Sequence, residues 1–109
     1  MDKGADASAA NHKGDTPLLA ACQAGNLEFA QVLLDKGADA SAANRKGDTP
    51  LLAACQAGNL EVAQVLLDKG ADALAANEQG DTPLLAACQA GHLEFAQVLL
   101  DKGADASAA

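Results

Sequence analysis

The chain has 109 residues, half of them hydrophobic but only 2% aromatic, and a formal net charge of −8. That length is one domain's worth, and an acidic balance argues against nucleic acid and against an anionic membrane surface, both of which call for clustered Lys and Arg. No apolar run approaches the ~20 residues of a membrane span.

From the start, Met1-Asp2-Lys3-Gly4 offers no apolar stretch of the kind a secretory signal needs. The eleven letters from Asp15 to Gly25 then return at Asp48 to Gly58 and at Asp81 to Gly91, an offset of 33 in each case (48 − 15 and 81 − 48). A fixed period decides the architecture before any local reading does. It divides a single domain over 1–109 into units 2–34, 35–67 and 68–100, with a partial unit 101–109. Units one and two differ only at His12/Arg45 and Phe29/Val62. Unit three departs from unit two at Ser41/Leu74, Arg45/Glu78, Lys46/Gln79, Asn59/His92 and Val62/Phe95. Near-identity this close points to a consensus or computed design more than to a recent duplication.

Within a unit the elements follow from local chemistry. Asp-Lys-Gly-Ala-Asp-Ala, as at Asp35 to Ala40, closes the preceding helix at Gly37 and starts an extended excursion of small residues. Its tip is Arg45-Lys46-Gly47, with Gly47 supplying turn geometry. Asp48 brings negative charge to a helix start. Thr49 is a side-chain cap, Pro50 fits the first helical position, and Gly58 is a stop. The helix so predicted over Pro50 to Ala57 is about two turns long, too short to persist without neighbours, because isolated helices need roughly 12–15 residues. Gln56 is its one strongly polar residue, so it is expected to be enclosed on several sides. A second helix runs from the cap Asn59 through Leu60 to Lys69 and ends at Gly70. Glu61, Gln64 and Asp68 fall on one solvent face, Leu60, Ala63, Leu66 and Leu67 face inward, and Val62 and Val65 lie on the flanks.

These residues together resemble the ankyrin repeat. The family pattern appears as Gly47-Asp48-Thr49-Pro50-Leu51-Leu52, Ala54-Cys55, Gly58-Asn59-Leu60-Glu61, Leu66-Leu67 and Gly70-Ala71-Asp72, in triplicate and over essentially the whole chain. Three departures stand out. The family's His after Pro-Leu is Leu19, Leu52 and Leu85; its Val-Asn after Gly-Ala-Asp is Ala40-Ser41; and its Asp before the tip is Asn11, Asn44 and Asn77. The resemblance implies an all-α solenoid of helix-turn-helix units joined by extended, β-hairpin-like loops. It also implies a non-catalytic, protein-binding role without cofactor. The face implied for binding comprises the tips His12, Lys13 and Asp15, then Arg45, Lys46 and Asp48, then Glu78, Gln79 and Asp81, joined by Gln23, Gln56 and Gln89 of the first helices.

Two readings of function follow. One is a designed folding or assembly model; the other is a natural or selected interaction module that recognises a protein through its concave face. Identical Gln23, Gln56 and Gln89 favour the first, because a selected binder would vary there. Cys22, Cys55 and Cys88 hold equivalent positions, expected to be buried, a repeat apart and therefore unpaired, which suits a reducing, cytoplasmic compartment for a natural chain. His12 and His92 have no ligand-spaced companions for a metal. No unit carries a polar outer face of the kind that caps a solenoid. Unit three keeps the internal pattern, including Leu84, Leu85, Leu93, Phe95, Val98 and Leu99, so end-to-end self-association is expected.

Overall fold

The computed structural model describes residues 11–102. Six helices follow in order: α1 (Pro17–Ala24), α2 (Leu27–Asp35), α3 (Pro50–Ala57), α4 (Leu60–Asp68), α5 (Pro83–Gln89) and α6 (Leu93–Asp101). The first helices stack α1 on α3 on α5, and α2 stacks on α4 behind them. The result is elongated, 45 × 25 × 20 Å, a linear array in which each unit touches its neighbours.

The first helices begin where their sequence dictates, whereas α4 stops at Asp68, one residue short of the expected Lys69, which serves as its C-cap. Thr16, Thr49 and Thr82 accept from the backbone N–H of Leu19, Leu52 and Leu85, each at 3.1 Å, and Pro follows at the first helical position. Gly25 closes α1 with φ 76°, a left-handed conformation that costs a side-chain-bearing residue about 1–2 kcal/mol. The third unit closes differently: α5 is one residue shorter, and Ala90 at its end stays right-handed.

Packing then separates the middle unit from the outer two. In α3 every residue from Pro50 to Cys55 is buried. The core continues through Leu18, Leu33, Leu34, Ala63, Leu66, Leu67, Ala87 and Leu99. Val62, expected on a flank, is buried, because that flank faces unit one. Across the outer surface of the second helices, Lys69 pairs with Asp35 at 3.6 Å and Lys102 with Asp68 at 3.9 Å. Both pairs are largely exposed and hold register more than they add stability.

Two expectations about unit three are corrected. Cys88 is exposed, although Cys22 and Cys55 are buried, because no helix pair beyond α5 covers it among the described residues. Phe95 is buried against unit two and adds nothing to the outward face. The excursions are hairpin-like only at their tips: the N–H of Asn44 donates to the carbonyl of Asp48 at 3.0 Å and that of Gly47 to Asn44 at 3.0 Å, and no strand forms among the described residues.

Candidate functional site

The tips are built by asparagine. The Oδ1 of Asn44 accepts from the backbone N–H of Lys46 at 2.9 Å and of Asp48 at 3.0 Å. Asn11 does the same for Lys13 and Asp15, and Asn77 for Gln79 and Asp81. One side chain thereby closes each turn from inside.

The other end of the same amide joins one tip to the next. Asn44 Nδ2 donates to Asp15 Oδ1 at 2.9 Å, and Asn77 Nδ2 donates to Asp48 Oδ1 at 2.8 Å. Backbone bonds reinforce the join: the N–H of Arg45 donates to Lys13 O and the N–H of Glu78 to Lys46 O, each at 2.9 Å. Space is as tight as these bonds require. A Cβ on Gly47 would stand 3.0 Å from the Asn77 Cα, and its φ of 82° already favours glycine. An aspartate at position 44 or 77 could close its own turn but has no N–H to offer its neighbour. Asparagine in place of the family's aspartate at positions 44 and 77 is thus the device that locks the tips together. Sequence reasoning noted these positions without assigning them that role. The available signal was an Asn three residues before a tip glycine and four before an aspartate.

Ten of the twelve sequence-derived residues line two adjoining hollows. His12, Lys13, Asp15, Gln23, Asn44, Arg45, Lys46 and Asp48 line a shallow hollow between the first and second tips. Lys46, Asp48, Gln56, Asn77, Glu78 and Gln79 line the next one. Gln23 and Gln56, exposed on α1 and α3, therefore share hollows with the tips. Asp81 and Gln89 line neither of these two hollows. Asp15 and Asp48 are half-buried and engaged by Asn44 and Asn77, so they position the surface more than they offer themselves to it. The exposed groups are His12, Lys13, Arg45, Lys46, Glu78 and Gln79.

The resulting surface is polarised. Lys13, Arg45 and Lys46 are three of the seven cationic residues of an otherwise acidic chain, and they cluster on the first two tips, whereas the third tip presents Glu78. Such a strip can steer a partner by charge and orient it along the array.

A second join links helices of adjacent units. Asn59 Nδ2 donates to the Cys22 carbonyl at 2.8 Å and reaches that of Gln23 at 3.4 Å. Asn59 was expected to cap α4 with its side chain, as Asn26 caps α2 through Phe29 N–H at 3.1 Å; instead it makes no such cap. His92 likewise starts α6 without a side-chain cap, and its ring lies against Gly58. Neither histidine forms part of a metal-binding group: among the described residues no three His, Cys, Asp or Glu side chains are placed to hold an ion. Burial pushes the Cys22 and Cys55 thiols up to about 12, which removes them as nucleophiles near neutral pH.

The family model for ankyrin repeats (3 copies) matches residues 1–77 and 40–109. No curated protein matches the chain.

Proposed function

Because the chain belongs to the ankyrin-repeat family, whose members are generally non-catalytic protein-interaction modules, we propose that it is a rigid protein-binding scaffold that engages a polypeptide along its tips and first helices. The observation that carries this reading is the pair of adjoining hollows that combine Lys13, Arg45 and Lys46 with Gln23 and Gln56. Locked tips favour binding because little side-chain or loop ordering is left to be lost on association. The cationic tips favour a segment with acidic residues over units one and two.

The near-identity of the units supports a further element of this reading: the chain is a consensus-type, designed repeat array whose face is a starting surface and not one tuned to a single partner. Selection of peptides from a random library tests both elements. The expected result is enrichment of acidic sequences that is lost on Arg45→Glu/Lys46→Glu, with modest affinity. Enrichment indifferent to that double substitution, in a variant of unchanged helicity, would rule out the tip face.

A further inference from the structure

The junction between successive units occurs twice in this chain, and the outer faces are its two halves. On the face that a unit turns to its predecessor, Val62 is 2% exposed and Phe95 is 6% exposed, whereas their counterpart in unit one, Phe29, is 46% exposed. On the face that a unit turns to its successor, Leu19 and Leu52 are fully buried, whereas Leu85 is 40% exposed. Leu27 and Leu60 are half-buried, but Leu93 is 70% exposed. Cys88 joins it in the open, as described above.

The polar contacts of the junction divide in the same way. The Asn44–Asp15 and Asn77–Asp48 bonds continue by the repeat offset to Asn11 of one molecule and Asp81 of another. The Lys69–Asp35 and Lys102–Asp68 pairs continue to Lys36 and Asp101. Apolar shape, amide-to-carboxylate bond and ion pair are thus all present in matching halves at opposite ends.

We infer that the chain associates head to tail with a second copy, α1 and α2 of one molecule seating on α5 and α6 of the next. The occupant is a second copy because the surface to be matched is one that this sequence already builds against itself twice. The contact is heterologous, so it leaves both outer ends open and propagates without closing. It forms at the ends of the array and does not depend on a partner being bound along the tips.

The net charge of −8 weakens the association by repulsion, and salt screens that repulsion.

Sedimentation equilibrium of the full chain under reductant tests this, at protein concentrations up to millimolar and in low and high salt. The expected result is a mass that rises with concentration above the monomer's 10.8 kDa, more steeply in high salt, with no plateau at the dimer. Phe29→Lys blocks one face and Leu85→Lys the other, and each should weaken association about tenfold or more. Mixed together, the two variants should form one-to-one dimers and nothing larger, since each retains the face the other lacks. Both positions are exposed, and circular dichroism checks that each variant folds. In the unmutated chain, alkylation of Cys88 should slow as protein concentration rises. A monomer mass under every condition, a plateau at the dimer, indifference to Phe29→Lys in the folded variant, or a concentration-independent Cys88 rate would each overturn the inference.

Discussion

The side-chain amide of Asn77 reaches back 29 positions and donates to Asp48 at 2.8 Å, while its own oxygen holds the N–H groups of Gln79 and Asp81. One residue therefore closes its own turn and ties that turn to the previous one. Asn77→Asp keeps the first job, loses the second, and sets two carboxylates together. Urea unfolding should show a loss of about 1–3 kcal/mol. Asn11→Asp, at the first described tip, should cost less than about 0.5 kcal/mol. Equal losses would place the effect in the turn and not in the join between tips.

Gly25 separates backbone strain from the helix join. Its φ is 76°, and an added Cβ would stand 2.8 Å from Asn59 Oδ1, whereas Gly91, with φ 82°, has nothing within 4 Å. Gly91→Ala should cost only the left-handed penalty of about 1–2 kcal/mol. Gly25→Ala should cost roughly 1 kcal/mol more, as Asn59 loses its bond to Cys22. Thermal unfolding of the two variants makes the comparison, and identical midpoint shifts would show that Asn59 contributes nothing to stability.

The thiols should divide two to one. Near neutral pH, a bulky maleimide should label Cys88 quickly and Cys22 and Cys55 only as the chain opens, and Cys88→Ser should remove the fast phase. Burial raises the thiols of Cys22 and Cys55 from 9.0 to about 12. The folded state then keeps protons that the unfolded state releases, so stability falls as pH rises from 9.0 towards 12. Each thiol contributes a slope of about 1.4 kcal/mol per pH unit in that window and nothing below it. Cys22→Ala/Cys55→Ala should flatten the slope; an unchanged slope would mean that neither thiol is desolvated.

Leucines in the two kinds of environment should differ sharply. Leu66 is fully buried in the middle unit, so Leu66→Ala should cost on the order of 2–5 kcal/mol. Leu93 is mostly exposed at the open face, and Leu93→Ala should stay within about 0.5 kcal/mol at dilute protein. Chemical denaturation at micromolar concentration decides this, and a cost below about 1 kcal/mol for Leu66→Ala would contradict the core described above.

Local chemistry determined the helices. Thr49, Pro50 and Gly58 carry their start and stop signals in their own side chains and backbone freedom, so α3 spans Pro50–Ala57 as its letters predict. The period of 33 likewise determined a stack, because each short helix needs a neighbour and identical neighbours were the ones supplied. The candidate face was legible to the extent that tip positions are local: His12, Arg45 and Glu78 vary where an exposed turn was expected.

Identical letters cannot announce different surroundings, and there the tertiary structure decided. Pro-Leu-Leu-Ala-Ala-Cys-Gln occurs three times, yet Cys55 is buried and Cys88 exposed, Leu52 enclosed and Leu85 open. Asn26 caps its own helix while Asn59 leaves its cap for the carbonyl of Cys22. The physical reason is the same throughout: burial and long-range hydrogen bonds depend on whether a unit stands on the far side, and a repeated sequence specifies the contact without specifying where the stack stops.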